Sequence, residues 1–178
     1  MSGAFVWGKL PAHGDFVARG LTPATRDELD GWLAASLAEA RAALGEAFEA
    51  TYDEAPPWRF TWRDEGGVTA GAMAMSVDAV GRRYPILIAR EGLEPEEVDG
   101  ATEAVEELLY DALADGWDAD RLHLAVAAMA PPRGEPQEDE AWWTLGAERF
   151  TPRRLAGARP DGMMTAVLTP HASNEGGA

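Results

Sequence analysis

The 178-residue sequence contains no cysteine. This absence excludes disulfides, thiolate metal sites and cysteine nucleophiles, so any covalent catalysis would use oxygen or nitrogen. No apolar stretch approaches the roughly 18 to 20 uninterrupted residues that a membrane span needs, and the start lacks a basic segment leading into an apolar run. We therefore expect a soluble, cytoplasmic protein without membrane insertion.

Basic residues are scarce, with 15 Lys and Arg against 31 Asp and Glu, a net charge of −16. A surface of this sign repels phosphate, so neither nucleic acid nor an anionic membrane is expected as a partner. A protein partner with a basic patch fits better, although the same composition can equally reflect general solubility. The length fits one domain and no internal repeat is visible, so we predict a single domain over residues 1–170 and a flexible tail over 171–178.

Periodicity and punctuation predict an alternation of strands and helices. The predicted strands are Ala4–Trp7, Trp58–Trp62, Val68–Met75, Tyr84–Ala89 and Ala141–Leu145, with Leu122–Met129 ambiguous and assigned to a strand. The predicted helices start at Thr22-Pro23 and end near Gly45, run from Glu94 to Ala114 before Gly116, and run from Pro160 to Leu168. Two long amphipathic helices and these strands predict an α+β sandwich, with a central, mostly antiparallel sheet covered by helices on both faces.

Two segments are rich in Gly, Pro and Asp, and the pattern of apolar residues that forms the core does not explain them. The first runs from Gly8 to Leu21 and the second from Ser76 to Pro85. Asp78 stands four residues before Arg82, a spacing that suits an internal ion pair. Arg82 and Arg83 could instead offer fork-shaped donors to a carboxylate or phosphate on a partner, and both interpretations stay open.

Catalytic interpretations of these segments are weaker. Gly3 to Lys9 has the spacing of a phosphate-binding loop, but Leu10 replaces the metal-binding hydroxyl and Pro11 stands where a helix should begin. His13 and Asp15 form at most a metal half-site or an acid–base pair, and an Asp in such a loop more often accepts backbone N–H bonds. Ser76 has no glycine-flanked elbow, so we expect it to cap a turn.

Trp142 and Trp143 are neighbours in a predicted strand and therefore point to opposite faces of the sheet. We expect both to lie in the core. An exposed one would be an interface anchor, because tryptophan is enriched among the residues that dominate binding energy.

Together these motifs resemble one known family. The Gly8–Leu21 and Ser76–Pro85 segments, with Pro57-Trp58-Arg59-Phe60 between them and Trp142-Trp143-Thr144-Leu145-Gly146 behind them, resemble the TagF family from about Phe5 to Leu168. The chain departs from the family pattern at Met75, where proline is often found, and at Ala79, where a basic residue is common.

The resemblance implies an accessory protein of the type VI secretion system that restrains its assembly or activity, not an enzyme, and it implies no cofactor. It also implies an α/β sandwich similar to longin-type adaptors and a forkhead-associated scaffold protein as the partner. We predict that partner binding uses Lys9, Asp15, Arg19, Arg82 and Arg83. We predict a structural role for Gly8, Pro11, Gly14, Ser76, Asp78, Gly81, Trp142 and Trp143. The alternative is a metal-dependent hydrolase that uses His13, Asp15 and Asp78.

Overall fold

The protein, for which a computed structural model describes residues 3–170, is built on one seven-stranded sheet. Its strands are β1 (Ala4–Gly8), β2 (Val17–Arg19), β3 (Trp58–Asp64), β4 (Gly67–Ala74), β5 (Ile86–Leu93), β6 (Ala141–Thr144) and β7 (Arg153–Ala156). Its helices are α1 (Pro23–Leu44), α2 (Phe48–Glu54), α3 (Val98–Asp115), α4 (Ala119–Ala128) and α5 (Met163–Leu168). The strand order is β2-β1-β5-β4-β3-β6-β7, and each neighbouring pair is antiparallel.

The helix ends follow their predicted signals. The Thr22 hydroxyl accepts the Thr25 N–H at the start of α1, with Pro23 as the first helical residue, and Gly45 ends the helix at a φ of 54°. Gly116 ends α3 in the left-handed conformation. The two long predicted helices are therefore confirmed.

The middle of the sheet is buried on both faces, which explains why its strands are almost continuously apolar. In β1, Phe5 and Trp7 belong to the core beneath α1, α2 and α5, whereas Ala4 and Val6 belong to the core beneath α3 and α4. The predicted α+β sandwich, with helices on both faces of an antiparallel sheet, is confirmed.

One predicted strand, over residues 122–129, is wrong, because residues 122–128 lie in helix α4 and Met129 follows its end. Asp118 accepts the Arg121 N–H at the start of this helix, and Arg90 on β5 donates to the Val126 carbonyl near its end. The core needs one apolar face here, which Leu122 and Val126 provide at helical spacing.

Three short elements have no counterpart in the sequence prediction: β2, β7 and α2. β2 lies inside the first motif and is an edge strand of three residues, and β7 is the opposite edge strand, of four. Short, partly polar strands at a sheet edge have too little apolar alternation to be seen in a sequence. The predicted tail over 171–178 lies outside the described residues.

Candidate partner-binding site

The two motif loops meet at one end of the sheet because the strands that carry them are paired. Gly8, the last residue of β1, pairs with Ile86, the first residue of β5. We call the segments 9–16 and 75–85 the first and second motif loops, and their shared surface the loop end. The Ala79 N–H of the second loop donates to the His13 carbonyl of the first at 2.7 Å, so the loops are joined through their backbones as well.

Gly8 allows this close approach. Its φ is 129°, and a Cβ placed on it would lie 2.0 Å from the Pro85 carbonyl oxygen. Any side chain would therefore push the two motif loops apart. Gly14, also predicted to be structural, differs, since a Cβ there would meet nothing within 4 Å.

Asp78 is the hub of the loop end, and its side chain is completely shielded from solvent. One carboxylate oxygen accepts the N–H groups of Val80 (3.1 Å) and Arg82 (2.9 Å). The other contacts Lys9 Nζ at 3.1 Å and Arg82 Nε at 2.7 Å. Burial alone raises the pKa of the Asp78 carboxyl, but these donors outweigh burial and hold that pKa well below its usual range.

The ion pair between Asp78 and Arg82, expected from their spacing, is thus present, but it closes a loop rather than a helical turn. Arg82 also reaches the first loop, where its Nη2 donates to the Gly14 carbonyl at 2.7 Å. The Arg82 side chain is still 59% exposed, and among residues 3–170 its Nη1 has no hydrogen-bond partner. Arg82 therefore braces both loops through Nε and Nη2, and its Nη1 is not used for this purpose.

Arg83 ties the second loop to helix α2. Its Nε and Nη2 donate to the two carboxylate oxygens of Asp53 at 2.9 and 2.8 Å, and its Nη1 lies 3.3 Å from Glu49. The hydrogen bonds with Asp53 raise the pKa of Arg83, and those with Arg83 lower the pKa of Asp53. The sequence suggested that Arg83 could form such a fork-shaped pair with a carboxylate of a partner. In the structure, the carboxylate belongs to Asp53 of the same chain.

Ser76 does not cap a turn as predicted. Its hydroxyl lies 3.4 Å from the Val77 carbonyl, and Asp78 caps the turn instead. The Ser76 backbone has the structural role: its carbonyl accepts the Tyr52 hydroxyl at 2.7 Å and its N–H donates to the same oxygen at 3.0 Å. Burial raises the pKa of Tyr52, so its hydroxyl remains protonated as a donor.

The three side chains of the hydrolase hypothesis have separate partners. His13 Nε2 accepts the Ala119 N–H at the start of α4 (3.0 Å), and Asp15 accepts the Phe16 N–H (2.8 Å). Asp78 is enclosed by its cations. No group of three or more His, Asp or Glu residues in the described part of the chain could hold a metal ion. Each of the three side chains is thus engaged by a different part of the protein.

The other predicted site residues lie apart from the hub. Arg19, on the edge strand β2, pairs with Asp120 of α4 at 2.7 Å. Trp142 is fully buried and donates to the Ala158 carbonyl at 3.0 Å, as expected for a core residue. Trp143 is only half-buried, with the Arg154 guanidinium 5.2 Å from its ring centre, so the prediction that both tryptophans are core is wrong.

Sequence reasoning missed the apolar part of the loop end. Phe16 is 47% exposed and packs edge-on against Tyr84, with ring centres 4.7 Å apart, while Lys9 Nζ lies 5.0 Å from the Phe16 ring centre. Val80 is 72% exposed between Asp78 and Gly81. Val80 stands in a turn that Asp78 caps, where an apolar side chain cannot reach the core. An apolar residue in such a turn was the sequence signal that could have indicated this exposed surface.

These features define an α+β sandwich protein that presents two mutually braced loops at one end of its sheet. The family of the TagF N-terminal domain, described as type VI secretion system-associated, matches residues 5–129, and the chain belongs to this family. The match supports an accessory role in type VI secretion. β6, β7 and α5 lie beyond the matched residues.

A solved structure extends the comparison to the rest of the fold. The crystal structure of PA0076 from Pseudomonas aeruginosa PAO1 is similar with a TM-score of 0.76 and 24% sequence identity, over 96% of each chain. The likeness at this identity shows a shared fold. No curated protein matches the chain. Among residues 3–170, no helix is both long and apolar enough to cross a membrane.

Proposed function

We propose that this protein is a non-catalytic accessory factor that restrains the assembly or activity of a type VI secretion system in the cytoplasm. It does so by binding a scaffold component, and the forkhead-associated protein of the apparatus is the candidate. Family membership supports the accessory role. The contact is assigned to the loop end.

One observation supports this assignment. The cationic side chains of the loop end are used to hold the loops together, and the side chains that remain exposed to a partner are mainly apolar. Lys9 is 9% exposed at its side chain, and Arg83 is 24% exposed and held by two carboxylates. Phe16 and Val80, in contrast, project from loops whose backbones are fixed. Binding to a preorganised surface avoids the entropy of ordering it.

Of the residues predicted to bind a partner, Arg82 fits a direct role best. Its Nη1 is unpaired among residues 3–170, and the exposed Val80 lies two residues earlier in the same loop, so an apolar contact and a charge-assisted hydrogen bond can form on one loop. Lys9 and Arg83 act by positioning the loops. Asp15 and Arg19 lie at the periphery of the first loop and contribute less.

The test is the affinity of the purified full chain for the forkhead-associated protein of the same secretion cluster, measured by calorimetry. Val80→Asp places a charge in the apolar contact and should weaken binding by more than tenfold, and Arg82→Ala should weaken it by about tenfold, as one charge-assisted hydrogen bond allows. Leu145→Asp is the matched control. Leu145 is 63% exposed and follows β6, which β4 and β3 separate from β5.

Equal losses in all three variants, or none in any, would place the contact elsewhere. Each variant is first compared with the unsubstituted protein by thermal unfolding, because Arg82 also supports the loops. No binding of the unsubstituted protein would reject this scaffold as the partner.

A further inference from the structure

The outer face of α3 and α4 carries an apolar groove. The two helices form a hairpin joined by residues 116–118, and a groove of about 310 Å³ runs between them. Its apolar lining consists of Ala104, Leu108, Ala125, Ala128 and Met129. We call this surface the hairpin groove.

Leu124 extends the apolar surface and is not part of the core. It is 68% exposed, whereas Leu122 and Val126 form the buried face of α4. It precedes Ala128 by four residues, so the two lie on the same side of the helix. A leucine at this position serves neither the core nor the capping of α4.

A row of carboxylates borders the hairpin groove. Glu103, Glu107, Asp111 and Asp115 are all exposed and follow one another at four-residue spacing along α3. Like charges at this spacing destabilise a helix, and Asp111 and Asp115 also lie near the C-terminal end, where the helix dipole disfavours negative charge. Within residues 3–170, none of the four makes an ion pair or a side-chain hydrogen bond, and α3 contains no Lys or Arg.

Glu106 lies on the same helix but, unlike the four exposed carboxylates, has an ion-pair partner. It faces the sheet, is 12% exposed and is paired with Arg59 of β3. The acidic residue of α3 that faces the sheet thus has a cation of the sheet as its partner. The exposed row is unfavourable for the isolated protein, and cations supplied from outside would relieve its repulsion.

From the groove and its charged border, we infer a second docking surface, independent of the loop end, for an amphipathic helix of a protein partner. The partner helix carries Lys or Arg at four-residue spacing along one edge, opposite the carboxylate row. Its adjacent edge is apolar and packs on Leu108 and Leu124. Small cations would satisfy the carboxylates but not the apolar groove, and the negative charge repels nucleic acids and anionic membranes.

The test uses a designed, fluorescently labelled 18-residue peptide whose Lys and Leu residues are arranged in this pattern, and a scrambled peptide of the same composition. Binding to the full chain is measured by anisotropy near physiological salt, where non-specific attraction is screened. The patterned peptide should bind at least tenfold more tightly than the scrambled one. Glu107→Lys/Asp111→Lys should lose at least tenfold of this affinity, and Leu124→Ser about threefold.

The matched control is Glu39→Lys/Glu46→Lys, which makes the same change of net charge at exposed positions on the opposite side of the sheet. Its affinity should stay within twofold of the unsubstituted protein. Equal binding of both peptides, or an equal loss in the control, would show that only net charge is recognised and would overturn the proposal. Absence of binding by the patterned peptide would overturn it as well. All altered residues are exposed, and circular dichroism confirms that each variant is folded.

Discussion

The loop end and the outer face of α3 use charge in opposite ways. At the loop end, Asp78 is buried against Lys9 and Arg82, and each charge has a partner of opposite sign. On α3, four carboxylates stand in an exposed row, and none of them has an ion-pair partner in the described part of the chain. The paired charges of the loop end hold the backbone of the motif loops in place. The unpaired carboxylates of α3 produce a negative potential that can attract a cationic partner. Substitution of the buried charges Asp78 and Lys9 should therefore affect mainly folding, whereas substitution in the exposed row of α3 should affect mainly binding.

The largest effect is expected from Gly8→Ala. The new Cβ would meet the Pro85 carbonyl and separate the motif loops, so we expect a loss of about 4 kcal/mol or a failure to fold. Gly14→Ala is the control in the same loop, with open space at its Cβ and a change within about 0.5 kcal/mol. Urea unfolding compares the two, and equal stabilities would contradict the packing argument.

Lys9→Met should be the next most damaging change, because it removes one cation of a buried ion pair. Loss of one partner in such a pair costs about 3 kcal/mol. Arg19→Met is the control, since the Arg19 pair is exposed and should contribute far less. If both variants unfold at the same urea concentration, the buried pair is not what fixes the loop end.

The pH dependence of stability should also identify the hub. Because the pKa of Asp78 is lower in the folded than in the unfolded chain, its contribution is present above about pH 4, the ordinary pKa of an aspartate, and is lost as the pH falls further. Asp78→Asn should be less stable than the unsubstituted protein at pH 7. In urea titrations the difference between the two proteins should begin to narrow as the pH falls below about 4, the ordinary pKa of an aspartate, and should close only when the pH passes below the lowered pKa of Asp78. A constant difference would contradict this role.

The smallest effect is expected on α3, and it has the opposite sign. Glu107→Lys/Asp111→Lys turns two repulsions at four-residue spacing into attractions, to Glu103 and to Asp115, while positions 107 and 111 still repel each other as two lysines. The protein should therefore become more stable by about 1 kcal/mol. Thermal unfolding at low salt measures the gain, which added salt should reduce. A loss of stability would mean that the carboxylates support the fold and would weaken the comparison between the two regions.

The predicted site illustrates what a sequence can and cannot specify. The spacing of Asp78 and Arg82 indicated their ion pair, and the glycines marked both loops as built features. The sequence could not reveal that Lys9 is buried against Asp78, because that contact requires β1 and β5 to be paired. The exposure of Phe16 and Val80 likewise depends on how the capped turns are held.

Local signals in the sequence determined α1 and α3, through caps at their ends and apolar residues at helical spacing. They determined the main strands through short alternating or continuously apolar runs bounded by turn residues. They also determined the family, through ordered motifs. Only the tertiary structure decided that residues 119–128 form a helix, that two short segments become sheet edges, and which charges are paired. The physical reason is that caps and periodicity act within a few residues, whereas edge pairing, burial and ion pairing depend on groups that folding brings together from distant parts of the chain.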